Sequence, residues 1–281
     1  MAKGDAASAP LLVSRRNARF QQWQALLTNR SKRNRGREFL VQGVRPISLA
    51  VEHGWEVRSF LFDASARLST WASEMLDRSS ATRVAVATEL MRELGEKAEA
   101  APELLAVVGM RSDDLSRIPS SPNPLVVVLD RVASPGNLGT LIRSADAFGA
   151  TGVIVTGHAA DIYDPKTIRS STGSLFALPV VRVPSHREVL GWADRIRGAG
   201  ARLSLVGTDE HGDVEVADAD LTCGTVVVVG NETFGLSAAW REHVEQLVRI
   251  PITGAASSLN AAVAGSIVLY EAARQRFRAA T

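Results

Sequence analysis

Three short segments hold the side chains best suited to chemistry. In LDRVASPGNLGTLIRSADAFGA, residues 129–150, a Pro/Gly loop leads into a helix with Asn137 at its capping position. Leu138, Leu141, Ile142, Ala145 and Phe148 form the apolar stripe of that helix, and Arg143 falls off it. Arg143 either points from the second turn towards whatever binds at the loop or is a surface residue beside a simple cap. In VVVVGNETFGLS, residues 226–237, a four-valine strand runs into Gly230, Asn231, Glu232 and Gly235. Glycines around such a turn let backbone amides approach a ligand closely, although a plain strand-to-helix turn shows the same pattern. In VRIPITGAASSLNAAVAGSIVLYEAARQR, residues 248–276, Ser257, Ser258, Leu259 and Asn260 precede a helix rich in Ala and Gly. Its Ala261, Ala262, Ala264 and Gly265 permit close packing against backbone or another subunit, and an ordinary C-terminal helix begins the same way.

Several other chemistries are absent. No G-x-G-x-x-G follows a strand, and there is neither a G-x-x-x-x-G-K-[ST] loop nor a G-x-S-x-G elbow. The five His are scattered, which argues against zinc, and Asp209, Glu210, His211 and Asp213 sit in a turn-like stretch ill suited to Mg²⁺. We expect no metal. The single Cys223 excludes an internal disulfide and suits a reducing cytosol, so the expected location is cytoplasmic. No apolar run approaches the length of a membrane helix, and MAKGDAASAPLLV does not read as a secretory signal.

The elements that must position these residues can be read along the chain. Its 281 residues are enough for one large domain or two modest ones, and 46% hydrophobic with 22% charged residues is ordinary globular composition. Residues 1–13 read as a flexible tail. A helix is expected over Asn17–Leu27, ending in the polar stretch TNRSKRNRGRE. Short strands and helices then alternate to a strand at LLAVVGM. The Ser/Pro/Asn-rich stretch at 116–123 is the best linker, which separates a domain at 14–115 from one at 124–281. The second domain alternates near-continuous Val/Leu/Ile strands with helices, the pattern of an α/β fold whose parallel sheet is covered on both faces.

Charge is distributed unevenly. Arg15, Arg16, Arg19, Arg30, Lys32, Arg33, Arg35, Arg37 and Arg45 face a single acid, Glu38, so residues 15–45 carry +8 in a chain whose total is +2, leaving −6 elsewhere. With Phe20 and Trp23 nearby, this section reads as a nucleic-acid surface rather than a solvated helix face.

Taken together, N-x-G-x-x-x-R, G-N-E-x-x-G-L-S and I-P…S-L-N resemble the motifs of the SpoU-type (TrmH-like) 2′-O-ribose RNA methyltransferases of the SPOUT superfamily, over residues 120–276. The N-terminal half resembles the L30e-like substrate domain that many of them carry. SRNARFQQWQALL, EFLVQGVRPISLAVEHGW, GHAADIYDPKTIRSSTGSLFALPVVRVPS and VGTDEHGD are similar to the actinobacterial branch that methylates 23S rRNA and confers avilamycin resistance. Departures are small: Thr233 and Phe234 stand where smaller residues are frequent, and Ala261-Ala262 follow the SLN. The resemblance implies a SPOUT α/β-knot domain with a deep C-terminal trefoil knot and parallel sheet. It implies S-adenosyl-L-methionine as cofactor, held by Thr208, Gly230, Asn231, Ile250, Ser258 and Leu259. It assigns the reaction to Asn137, Arg143, Glu232, Ser258 and Asn260. It also implies a homodimer formed through the SPOUT domain and methylation of 23S rRNA, most simply at a uridine, with resistance to an orthosomycin-type antibiotic. A tRNA or housekeeping rRNA methyltransferase is the alternative, and a non-catalytic ribosome-assembly factor would not need all five polar residues.

Overall fold

The computed structural model describes residues 10–96 and 100–280, and the chain divides into two compact units at Arg111/Ser112. In the first, the order is β1 (Leu11–Val13), α1 (Ala18–Thr28), α2 (Arg30–Gly36), β2 (Glu38–Gln42), α3 (Val44–Glu52), β3 (Val57–Asp63), α4 (Thr70–Asp77), β4 (Thr82–Val86), α5 (Thr88–Gly95) and β5 (Leu104–Gly109). The five strands form a mixed sheet in the order β1-β4-β3-β5-β2, with β5 antiparallel to both of its neighbours. Phe20, Trp23 and Leu26 of α1 pack with Leu40, Leu61 and Leu105 in its core.

One expectation changes here and another is refined. Residues 1–9 of the expected tail lie outside the described residues, but Leu11–Val13 is an edge strand, parallel to β4, with Val13 buried. α1 ends at Thr28, in the polar stretch as expected, but that stretch is itself helical. Asn29 restarts a helix by accepting the Lys32 N–H at 3.0 Å, and α2 then carries the basic run until Arg37 closes it in a left-handed conformation.

The second unit runs β6 (Leu125–Asp130), α6 (Pro135–Ala147), β7 (Gly152–Thr156), α7 (Pro165–Ser171), α8 (Ser174–Ala177), β8 (Val180–Val183), α9 (His186–Gly198), β9 (Leu203–Thr208), β10 (Val214–Glu215), β11 (Gly224–Val229), α10 (Ala238–His243), β12 (Gln246–Arg249) and α11 (Ala261–Ala279). All seven strands are parallel, in the order β10-β12-β9-β11-β6-β7-β8. Every residue of β6, β7 and β11 is buried, which explains their nearly continuous apolar sequences. The boundary lies before the expected 116–123 linker because Leu115 and Ile118 are buried in this unit's core. Those residues anchor the segment instead of leaving it free.

Chain order reverses direction between β6 and β11. Ligands of open parallel sheets bind at the carboxyl ends of the strands beside such a switch. The loops after β6, β9, β11 and β12 all emerge on that edge. From β12 the chain returns through residues 250–260 to α11, where Gly265 packs against Leu141 of α6 and Val229 of β11. At the other end of α11 the Arg276 guanidinium gathers the carbonyls of Leu221 (3.0 Å), Asn123 (3.1 Å), Pro124 (3.3 Å) and Cys223. No helix among the described residues is long and apolar enough to cross a membrane.

Candidate active site

The three motif segments meet through side-chain hydrogen bonds. Asn260 caps α11 by accepting the N–H groups of Ala262 (2.9 Å) and Val263 (3.3 Å) on its Oδ1. Its Nδ2 donates to Asn137 Oδ1 at 3.1 Å, and Asn137 Nδ2 donates to Glu232 Oε1 at 2.9 Å. Glu232 also accepts the backbone N–H of Ala133 on Oε2 (3.0 Å) and of Ser134 on Oε1 (3.1 Å). Residues 123 positions apart are thereby joined in one hydrogen-bonded chain.

Burial alone would raise the Glu232 pKa. The donors from Ala133, Asn137 and Ser134 outweigh it and hold the carboxyl below its ordinary 4.5. Glu232 is therefore ionised at neutral pH, and its lone pairs are committed to the N-terminal turn of α6.

Asn137 is not the cap that its position suggested. Ser134 caps α6, accepting the Asn137 N–H at 3.4 Å, with Pro135 as the first helical residue. Capping by Ser134 frees the Asn137 amide to bridge Asn260 and Glu232. The glycine between Asn137 and Arg143 is structural: a Cβ on Gly139 would lie 2.4 Å from the Thr167 carbonyl oxygen, so α6 and α7 are in near backbone contact.

Arg131, which no sequence motif singles out, sets the geometry of the loop. It has φ +57, a conformation L side chains rarely adopt. Its guanidinium donates to buried Asp130 and to the Gly235 carbonyl at 3.2 Å, while its own carbonyl accepts Asn231 Nδ2 at 2.8 Å. The chain thus turns sharply after β6, so that Ala133 and Ser134 present their N–H groups to Glu232. No local sequence pattern marks a left-handed Arg, so tertiary contacts alone reveal it.

Beside this network lies a cavity of about 500 Å³. Thr208, Gly230, Asn231, Ile250, Ser258 and Leu259, the six expected cofactor residues, all line it. Asp209, Glu210, Arg241 and Phe234 also line it, and the sequence motifs did not point to them as lining residues. Asp209 forms an ion pair with Arg241, which accounts for the most buried carboxylate of the acidic turn. Gly230 serves the loop itself: a Cβ there would sit 2.3 Å from the Gly235 carbonyl carbon, and Gly235 needs its φ of +62. Val229, Ile250, Leu259 and Val268 supply apolar wall, and Glu232 and Glu210 add carboxylates to the lining. That mixture fits a ligand with an aromatic base, a sugar and a cationic centre.

Not every expected catalytic residue joins the network. Ser258 lines the cavity, but its hydroxyl makes no hydrogen bond among the described residues. Arg143 is exposed, does not line the cavity, and its guanidinium makes no hydrogen bond or ion pair among them.

A SpoU rRNA Methylase family model matches residues 124–270, and a SpoU L30e-like domain model matches residues 17–106. The chain belongs to the SpoU methyltransferase family. Among SpoU relatives, the 23S rRNA (uridine(2479)-2′-O)-methyltransferase of Streptomyces viridochromogenes is 58% identical over 279 residues, 99% of this chain and 97% of its own. The crystal structure of the SpoU methyltransferase AviRb from that organism, in complex with AdoMet, superposes with a TM-score of 0.89 at 61% identity, over 93% of this chain and 99% of that one. An AdoMet-bound rRNA methyltransferase from Sinorhizobium meliloti matches with a TM-score of 0.82 at 27% identity, over 94% and 98% of the two chains.

In the L30e-like unit the basic run is only partly available to RNA. Arg15, Arg19, Lys32, Arg35 and Arg45 are exposed. Arg16 pairs with Glu93 at 2.7 Å, and Arg37 donates to the Arg111 carbonyl at 2.8 Å. Arg33 must be removed from the expected set: it is 2% exposed and donates to the Leu26 carbonyl at 2.6 Å, closing α1 onto α2. Phe20 and Trp23 are also core residues, not stacking surfaces.

Proposed function

We propose that this chain methylates the ribose 2′-hydroxyl of a uridine in 23S rRNA, with S-adenosyl-L-methionine as methyl donor. The observation that carries the reading is the Asn260–Asn137–Glu232 chain of hydrogen bonds, whose Glu232 lines a cavity that all six expected cofactor residues also line. Near-full-length similarity to the Streptomyces uridine methyltransferase supports the substrate.

When bound, the cofactor supplies a methyl group on a sulfonium, as electrophile. The 2′-oxygen would attack that carbon in line, the O–C bond forming as the S–C bond breaks with its electron pair returning to sulfur, and the hydroxyl proton would pass to solvent water. This chain's residues supply orientation and charge. Glu232 fixes the turn at Ala133 and Ser134 and the Asn137 amide. Arg143, protonated and without an acceptor site, binds the target phosphate and stabilises the developing 2′-alkoxide instead of acting as base. Because Arg143 lies away from its own cavity, it serves the cavity of a second subunit in a homodimer. The exposed Val263 and Tyr270 of α11, with Phe148 against Tyr270 at 5.8 Å, are the apolar surface that such a dimer would cover. The return of the chain from β12 to α11 follows the trefoil knot of the family. Methylation by this chain confers resistance to an orthosomycin of the avilamycin type.

The test is primer extension on 23S rRNA incubated with protein and labelled cofactor, read at low nucleotide concentration. A single 2′-O-methyl stop at a uridine is expected. Labelling of tRNA alone would overturn the substrate, and expression that leaves a susceptible host equally sensitive to avilamycin would overturn the resistance role. A fully active monomer by light scattering would remove the second subunit from the site.

A further inference from the structure

We propose that Phe234 is the platform on which the base of the target nucleotide stacks while its ribose is methylated, a positioning role that rests on the ribose-methylation reading above. Phe234 follows Glu232 by two residues, lines the cavity, and at 76% exposure is the most exposed large apolar side chain among the described residues.

Its backbone is held rigidly. Asn231 and Gly235 exchange both backbone hydrogen bonds at 3.0 Å, and Asn231 Oδ1 accepts the N–H groups of Thr233 (2.9 Å) and Phe234 (3.1 Å). Asn231 is itself tied to the Arg131 carbonyl. The fold does not ask for an aromatic side chain here. Packing of the loop is done by Leu236, which is buried, and its geometry by Gly230, Asn231 and Gly235. A phenyl ring on an immobilised turn, exposed to solvent at the wall of the cavity, contributes nothing to the core.

Ribose chemistry explains the need for such a ring. The reacting atom is on the sugar, so the base takes no part in bond making and must be placed elsewhere while the 2′-oxygen enters. An unpaired base offers a π face, and stacking on an aromatic side chain suits any base. Phe234 would therefore hold the nucleotide in place without selecting uracil over cytosine.

The experiment compares Phe234→Ala, Phe234→Leu and Phe234→Trp with the unaltered protein on 23S rRNA, recording KM, kcat, cofactor Kd by calorimetry and oligomeric state. We expect Phe234→Ala and Phe234→Leu to raise the KM for RNA about tenfold or more, with kcat within a few-fold and cofactor Kd unchanged. Phe234→Trp should restore the KM. A ligated rRNA whose target nucleotide is abasic but keeps its 2′-hydroxyl provides the decisive arm: there Phe234→Ala and the unaltered protein should become equal. An unchanged KM in Phe234→Ala, or a penalty that persists on the abasic RNA, overturns the proposal. A weakened cofactor Kd would make Phe234 a wall of the cofactor site, and a lost dimer would make it a subunit contact; either result overturns it too. If the unaltered protein transfers no methyl group, the ribose-methylation reading itself has failed, whereas an active protein with an indifferent Phe234→Ala sinks only this inference.

Discussion

Replacing Glu232 by Gln asks whether this carboxylate orients the site or takes the proton. The carboxylate accepts from three donors within 3.1 Å, two of them backbone N–H groups. A Gln amide must turn its NH₂ towards Ala133 in one orientation and towards Ser134 and Asn137 in the other, so at least one donor faces a donor. A hydrogen bond to a charged group contributes about 1.5–3 kcal/mol, and the solvent-accessible position places each at the low end. Breaking one hydrogen bond and weakening the rest amounts to about 1.4–2.8 kcal/mol, a tenfold to hundredfold fall in kcat.

The sign of the pH effect separates the two roles. The Glu232 pKa is lowered in the folded protein, so its contribution is complete above its ordinary 4.5 and disappears only as pH falls through the lower folded value. Between about pH 5.5 and 8 the Gln variant should therefore show the same profile shape as the unaltered enzyme, displaced downward. The assay is single-turnover methyl transfer to 23S rRNA across that range. A fall of about 10⁴-fold or more, with loss of an acid limb that the unaltered enzyme displays, would refute the orienting role.

Further predictions follow from neighbouring groups. Asn260→Asp keeps the cap of α11 but removes the donor to Asn137, so melting temperature should hold within a few degrees while kcat drops; Asn260→Ala should lose about 1 kcal/mol of stability as well, read by chemical denaturation. Gly230→Ala places a methyl group 2.3 Å from the Gly235 carbonyl carbon, so cofactor affinity by calorimetry should fall at least about tenfold. Lys32→Ala with Arg35→Ala should weaken RNA binding and lessen its salt slope, by about 0.7–0.9 for each phosphate no longer neutralised, without altering cofactor affinity. Arg33→Ala should instead unfold the first unit more readily, because a buried guanidinium that closes α1 onto α2 is removed.

Much of the catalytic unit was legible because a sheet buried on both faces writes itself as runs of Val, Leu and Ile. The G-N-E-x-x-G turn and the Ser-Leu-Asn start of α11 carry local signals of the same kind. What was not legible depends on interactions between distant residues. Ser134 outcompeted Asn137 as the cap because Pro135 fits the first helical position, and only the fold shows the freed amide reaching Asn260. Arg33 lies in a run of identical charges, and composition cannot tell the one member that turns inward to the Leu26 carbonyl from its exposed neighbours. Ile118 looks like linker among Ser and Pro and Leu115 like the end of the first domain, yet both insert into the core of the second unit, which begins at Ser112. Leu11–Val13 is too short to announce a strand without β4 beside it.

Nucleoside analysis of the reaction product tests the central claim most directly. 23S rRNA incubated with this protein and S-adenosyl-L-methionine should be digested and its modified nucleosides resolved by mass spectrometry. One 2′-O-methyluridine for each rRNA, absent when Arg143→Ala replaces the active protein, is the predicted result. A methyl group on a base, or none on 23S rRNA while tRNA is modified, would contradict the account.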